Sequence, residues 1–279
     1  MLKRIITGIC AMGVLIPVLV FSETVVFPIA LSVIGAVCMW EIFQCMGVNK
    51  KLSITVPAYA AAVAFPFLVR YVDSIVKVAI IAAMSAMLYL VYVFAHIIWS
   101  HGKLSFSEGI SIYSAAVYIL LALNCIAYIR DYGESGKYIY LLIFIGAWIT
   151  DTFAYFTGMF LGKHKLIEDV SPKKTVEGSI GGIVFCVLFF IGFGIITEIF
   201  FDRNANIVFL AVSGVIVSII SQIGDLIMSV IKRHYKIKDF GKIFPGHGGM
   251  LDRFDSILAV AIGISTICMF ATLTGINLI

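Results

Sequence analysis

The chain has 279 residues, of which 61% are apolar and only 13% are charged, whereas a soluble globular domain is about half apolar and about a quarter charged. This composition excludes an ordinary soluble domain and indicates that the membrane is the protein's main solvent. The net charge of +4 is too small to indicate a nucleic-acid-binding protein, so we expect no nucleic-acid partner.

Apolar stretches long enough to cross a hydrocarbon layer of about 30 Å recur along the chain. They predict an all-α polytopic membrane protein in the lipid bilayer with about nine transmembrane helices. The predicted spans are Ile5–Phe21, Thr24–Met46, Leu52–Val69, Val78–Ile98, Gly109–Ile129, Tyr138–Gly162, Gly178–Phe200, Asn204–Ile231 and Ser256–Ile279. About five helices form an N-terminal part, 1–135, and the rest form a C-terminal transmembrane part, 136–279, with two long polar loops, 163–177 and 232–255.

The basic residues are distributed unequally between the two sides of this arrangement. With the N-terminus in the cytoplasm, five of the 20 Lys and Arg residues fall outside and the other fifteen fall inside. The five outer residues are Arg70, Lys77, Arg130, Lys137 and Arg203. Because cytoplasmic loops carry the excess of positive charge, we predict a cytoplasmic N-terminus and an outer C-terminus. The protein is then a multi-pass protein of the inner (cytoplasmic) membrane whose two long polar loops face the cytoplasm.

Two acidic residues lie within predicted membrane spans before the eighth. Each needs a partner, because a carboxylate in hydrocarbon costs several kcal/mol unless it meets a counter-charge or water. Glu41 falls near the end of the second span, and we interpret it as an interfacial acid paired with a lysine such as Lys50. Asp151 falls inside the sixth span. For Asp151, a structural ion pair between helices and a place in a functional site both stay open.

The densest polar segment follows the eighth span. Asp225, Ser229 and Lys232 stand at i, i+4 and i+7 and therefore share one helix face, which leads from the membrane into a basic loop. Fixed positive charge suited to phosphates is supplied there by Lys232, Arg233, Lys238 and Arg253. A loop that only binds lipid head groups would also be basic, but it would not need the interleaved acids.

The same segment contains a glycine turn, Pro245–Gly249, whose glycines let backbone N–H groups approach a ligand. Asp252 and Asp255 are three residues apart at the start of the ninth span and point to one helix face. We predict that they meet Asp225 around Mg²⁺, which prefers carboxylate oxygens shared with substrate phosphates. Together these groups indicate phosphoryl or nucleotidyl transfer. For His247, within the turn, a ligand contact and a structural role stay open.

The loop before the seventh span carries a second candidate phosphate site. Ser171 followed by Pro172 is typical of a helix N-cap and a first-turn proline. Lys173 and Lys174 would then lie at a helix N-terminus, where anions bind well. The alternative is an ordinary capped helix start without a ligand.

The pattern S-x-x-K-R-x4-K-D-x-G-x3-P-G-H-G-G-x-x-D-R-x-D, from Ser229 to Asp255, resembles the signature of the phosphatidate cytidylyltransferase family, also called CDP-diacylglycerol synthases. Two further stretches are similar to that family, Trp148–Gly158 around Asp151 and Ser171–Gly178. The resemblance covers roughly residues 146–256. In the first half it rests on hydropathy and on Trp40 with Glu41.

The resemblance implies that CTP and phosphatidic acid are converted to CDP-diacylglycerol and pyrophosphate, with one or two Mg²⁺ ions. It implies catalytic roles for Asp225, Asp252, Asp255, Lys238 and Asp239. It implies substrate contacts for Ser171, Lys173, Lys174, Thr175, Ser229, Lys232, Arg233, His247, Gly248, Gly249, Arg253 and Asp151. The alternatives are a cytidylyltransferase for another lipid, a CTP-dependent lipid kinase and an ion-coupled transporter. A homodimer is left open.

Overall fold

The computed structural model describes residues 2–246 and 248–279, and most of that range is helical. The elements are, in chain order, α1 (Leu2–Val20), α2 (Val26–Cys45), α3 (Leu52–Tyr71), α4 (Ile75–Trp99), α5 (Phe106–Arg130), α6 (Gly136–Ile139), α7 (Leu141–Leu161), β1 (Lys165–Ile167), β2 (Ser171–Thr175), α8 (Val176–Phe201), α9 (Ile207–His234) and α10 (Leu251–Thr274).

The predicted all-α polytopic membrane fold is confirmed. In the described part of the chain, eight helical segments are long and apolar enough to cross a membrane: α2 to α5, α6 with α7 as one segment, and α8 to α10. The first predicted span, Ile5–Phe21, corresponds to α1, whose apolar stretch among the described residues is the shorter Cys10–Val20. The orientation of the spans in a membrane stays a prediction.

Backbone proximity groups the described residues into two compact units. The first runs to Ala127 and also includes Tyr235–Arg253. The second consists of Tyr128–His234 and Phe254–Ile279. The polar loop between α9 and α10, which the sequence assigns to the C-terminal part 136–279, is therefore compact with the N-terminal helices.

In the first unit, α2 is packed closely between its neighbours. A Cβ atom on Gly35 would lie 3.0 Å from Leu123 Cδ1 of α5 and 3.5 Å from Ala62 Cβ of α3. Because lipid tails are as apolar as the side chains, such close packing is what holds membrane helices together. The next turns of α2 are almost completely buried at Cys38, Met39, Ile42 and Phe43. The end of α2 that carries Glu41 is thus firmly held.

In the second unit, glycines bring α7 and α8 into backbone contact. A Cβ atom on Gly178 would lie 2.6 Å from the Ala154 carbonyl oxygen, and one on Gly181 would lie 2.3 Å from Thr157 Oγ1. Any larger residue at these positions would force the helices apart, since real Cβ contacts essentially never fall below 3.0 Å. The first turns of α8 are therefore fixed against α7.

The loop before α8 forms a short antiparallel hairpin instead of the predicted helix start. In this hairpin Lys165 pairs with Thr175 and Ile167 pairs with Ser171. The N-cap of α8 is Thr175, whose Oγ1 accepts the Gly178 N–H at 3.1 Å. The interpretation of Ser171 as an N-cap is therefore wrong, because strand pairing occupies the backbone there and Thr175 satisfies the helix N-terminus.

Candidate active site

A polar cavity lies in the loop between α9 and α10 of the first unit. Its volume is about 670 Å³, within the usual range of about 300–1,000 Å³ for small-molecule sites. The cavity is lined by Lys238, Asp239, Gly241, Lys242, Phe244, Pro245, Gly246, Gly248 and Arg253. Three of these residues are cationic and exposed, namely Lys238, Lys242 and Arg253. Such a lining suits a polyanion of nucleotide size.

The glycine turn of this loop is closed by its own backbone. The Phe244 N–H donates to the Gly248 carbonyl oxygen at 2.9 Å. Gly246 and Gly248 have φ values of 80° and 86°, a region that favours glycine. Of the predicted turn, Pro245, Gly246 and Gly248 line the cavity. His247 lies outside the described residues.

Asp252 anchors the loop from the first turn of α10. The side chain is buried, and its Oδ2 atom accepts two backbone N–H groups, from Phe240 at 2.8 Å and from Gly249 at 2.9 Å. Hydrogen bonds of this kind to an ionised carboxylate are about twice as strong as neutral ones. Asp252 thus has a visible role in shaping the cavity, beside its predicted role as a metal ligand.

Glu41 also binds this loop, and its interpretation as an interfacial acid paired with Lys50 is wrong. Its residue exposure is 0%. Its Oε1 atom accepts the Met250 N–H at 2.9 Å, and its Oε2 atom accepts the Leu251 N–H at 2.7 Å. The reason is that two backbone donors at the start of α10 satisfy both oxygens, so that the buried acid needs no lysine.

Tyr235 is the first residue of the loop, directly after the end of α9. Burial raises the pKa of the Tyr235 phenol, the neighbouring Cys45 and Glu108 act in the same direction, and a hydrogen bond with Ser111 acts against them. The hydrogen bond with Ser111 ties the start of the loop to α5.

An ion pair joins the hairpin to α9 in the second unit. Lys174 Nζ lies 2.7 Å from Asp225 Oδ2, and each side chain is about a quarter exposed. Lys174 also donates to the Gln222 carbonyl oxygen at 3.3 Å. Two predicted site residues that are 51 positions apart in the chain are thereby brought together.

Further carboxylates lie around Asp225. Asp255 is buried on α10 and interacts electrostatically with Asp225, Lys232 and Asp151. Asp151 Oδ2 accepts a hydrogen bond from Ser256 Oγ at 2.9 Å. The second unit therefore gathers three predicted acids and two predicted lysines in one polar cluster, made of Asp151, Asp225, Asp255, Lys174 and Lys232.

A divalent cation at this cluster, shared with a substrate, stays a prediction. Neighbouring carboxylates repel one another unless a cation is present. Mg²⁺ needs only one or two carboxylates together with phosphate oxygens and water, and Asp225 and Asp255 offer such donors. Among the described residues, no three His, Cys, Asp or Glu side chains are grouped so as to hold a metal ion by themselves. The role of Asp252 as a third ligand stays a prediction.

The other predicted site residues are placed as follows. Lys173 is exposed on β2, Ser229 is buried on α9, and Arg233 Nε donates to the Val170 carbonyl oxygen at 3.4 Å. Sequence reasoning did not select Lys242 or Gln222. The position of Lys242 inside the signature could have indicated it, whereas no local pattern marks the Gln222 carbonyl.

The chain is similar to known proteins over most of its length. The chain matches the model of the cytidylyltransferase family over residues 2–271. It is 32% identical to the phosphatidate cytidylyltransferase of Staphylococcus epidermidis over 257 residues, which is 92% of this chain and 95% of that protein. The identity is also 32% to the proteins of the same name from Staphylococcus haemolyticus and Staphylococcus aureus, with the same coverage of both chains.

Proposed function

Because the chain belongs to the cytidylyltransferase family, we propose that it transfers CMP from CTP to phosphatidic acid for phospholipid biosynthesis. An oxygen of the lipid phosphate attacks the α-phosphorus of CTP. The bond from that phosphorus to the oxygen bridging to the β-phosphate breaks, and pyrophosphate leaves as CDP-diacylglycerol forms. The observation that carries this proposal is the cationic glycine-turn cavity, formed by the segment whose pattern resembles the signature of phosphatidate cytidylyltransferases.

The cavity supports binding of the CTP triphosphate. Lys238, Lys242 and Arg253 offer fixed positive charge around one space, and glycine backbone allows close approach of phosphate oxygens. Phosphoryl and nucleotidyl transfer depend mainly on positioning and charge neutralisation. Asp239 lines the same cavity, and its carboxylate would repel a triphosphate unless it faces the sugar, the base or a cation.

The carboxylate cluster of the second unit supports a requirement for Mg²⁺. Asp225 and Asp255 would hold the ion, which would neutralise phosphate charge when bound. Lys174 forms an ion pair with Asp225. The side chain of Lys174 is long and flexible, so it can turn to a substrate phosphate when a cation takes over the carboxylate. The exposed side chain of Lys173 on β2 offers a second positive charge.

A protein made of membrane-spanning helices with polar loops suits one hydrophobic and one water-soluble substrate. We expect the lipid to arrive laterally between helices and CTP to arrive from the cytoplasm, with the protein in the cytoplasmic membrane. The excess of basic residues on one side supports this orientation. A homodimer would be detected by the mass of the detergent-solubilised particle.

Two radioactive labels on CTP test the reaction. The purified protein is incubated in detergent micelles with Mg²⁺, phosphatidic acid and CTP labelled at either the α- or the γ-phosphate. We expect the α-label in a CDP-lipid and the γ-label in pyrophosphate. A γ-labelled lipid would instead identify a kinase, and no lipid product from any acceptor would contradict an enzyme of this class. Parallel reactions with isoprenoid and ether-lipid phosphates decide the lipid preference.

A further inference from the structure

Glu41 is the only charged residue of α2, and it is completely buried. A buried carboxylate is tolerated only where hydrogen bonds satisfy it. Here both oxygens accept backbone N–H groups of residues about 210 positions later in the chain, Met250 and Leu251. The cost of burying this acid is therefore offset by one specific structure, the loop that precedes α10.

Two glycines of the loop are in contact with the same carboxylate. A Cβ atom on Gly241 would lie 2.2 Å from Glu41 Oε1, and one on Gly249 would lie 2.3 Å from it. Both distances are far below the 3.0 Å that real Cβ atoms keep. Neither glycine has a positive φ value, so these positions require glycine because of Glu41 and not because of the backbone conformation.

Asp252 holds the other side of the loop. Its Oδ2 atom accepts the N–H groups of Phe240 and Gly249, while Glu41 accepts those of Met250 and Leu251. Two carboxylates, one from α2 and one from α10, thus bind four backbone donors of a single loop. These donors belong to the segment that lines the cavity and that leads directly to Arg253.

We propose that Glu41 is a positioning residue for nucleotide binding: it holds the loop backbone at Gly241 and from Gly249 to Leu251, and thereby Asp252 and Arg253, in the arrangement that receives the triphosphate. This inference rests on the proposed function and adds a residue outside the signature to its site. Glu41 acts through the loop and does not contact the substrate. A carboxylate suits this task because it offers two charged acceptors at a helix N-terminus. Glutamine would replace one acceptor with an NH₂ group that opposes a backbone N–H.

The primary test is Glu41→Gln in the full-length purified protein, with Glu198→Gln, at an exposed position of α8, as the matched control. We expect the dissociation constant for CTP, measured with Mg²⁺ by calorimetry, to rise about tenfold or more, since at least one charge-assisted hydrogen bond is lost. Hydrogen exchange should accelerate in peptides covering residues 240–251 and not in those of α7 and α8. Glu41→Asp, which keeps the charge, should recover part of the CTP affinity.

A double-mutant cycle tests the contact itself. Gly249→Ala should weaken CTP binding in the parent protein. In a Glu41→Ala background, where the opposing carboxylate is gone, Gly249→Ala should cause little further loss, so that the two effects are strongly non-additive. Additive effects would overturn the inference that Glu41 acts on CTP binding through its contact with Gly249.

The proposal is wrong if Glu41→Gln binds CTP as the parent does, or if its exchange accelerates equally throughout the protein. Failure of the proposed function is a separate result. If the parent protein makes no CDP-lipid and does not bind CTP, the reaction is wrong, while local exchange in 240–251 still reports whether Glu41 holds the loop.

Discussion

Replacement of Asp252 separates its observed role, which is to bind the loop backbone, from its predicted role as a metal ligand. Its Oδ2 atom accepts two backbone N–H groups at 2.8 and 2.9 Å. A hydrogen bond to a charged group contributes about 1.5–3 kcal/mol and a neutral one about 0.5–1.5 kcal/mol. Asp252→Asn keeps an acceptor oxygen, so it should lose about 1 kcal/mol for each bond, or about 2 kcal/mol in all. Asp252→Ala leaves two buried donors unsatisfied, at about 1–3 kcal/mol each.

Catalysis should respond differently from stability. If Asp252 is a metal ligand, the neutral amide of Asp252→Asn no longer neutralises the ion, and turnover should be abolished although the fold is intact. Stability is measured by thermal unfolding in detergent micelles, and turnover by release of α-labelled CDP-lipid at ordinary Mg²⁺. The control is Asp73→Asn, at an exposed position before α4, which should change neither quantity.

Two results would refute this reasoning. Near-normal turnover of Asp252→Asn would reduce Asp252 to a residue that shapes the loop. Equal destabilisation by Asn and Ala would show that the two hydrogen bonds to Oδ2 do not stabilise the loop in the way that their geometry indicates.

Four further outcomes are expected. Asp225→Asn should abolish turnover with the fold intact, and Asp255→Asn should be similar or milder; near-normal rates in Asp225→Asn would contradict the metal site. Lys173→Ala with Lys174→Ala should sharply weaken activity at normal expression, with Lys174 responsible for most of the loss because it contacts Asp225; unchanged kinetics would leave the hairpin a structural element. Chelation of Mg²⁺ by EDTA should stop turnover and weaken CTP binding, and Mg²⁺ should restore both, whereas full activity in EDTA would exclude the ion. A cysteine at position 173 should react with a membrane-impermeant thiol reagent only after the cells are opened, and labelling of intact cells would reverse the predicted orientation.

The spans and the loop between α9 and α10 could be predicted from the sequence because their determinants are local. A helix that crosses a membrane needs about 20 apolar residues in a row, and eight such segments are present among the described residues. All nine residues that line the cavity lie within a short stretch, 238–253, and seven of them are fixed positions of the signature. The start of α8 was misjudged by four residues, since Ser171 and Thr175 are both suitable caps. Only the pairing of β1 with β2 decides between them.

The tertiary structure decided which groups each acid meets. Glu41 and Met250 are 209 positions apart, and the sequence between them contains no periodicity that relates one to the other. A buried carboxylate can be satisfied by a lysine, by water or by backbone N–H groups, and its own neighbours in the chain do not distinguish these outcomes. The choice depends on which backbone donors the packed helices bring to it. Residue types and local spacing determined the chemistry available to this protein, while packing determined that Glu41 holds the loop and that Lys174 neutralises Asp225.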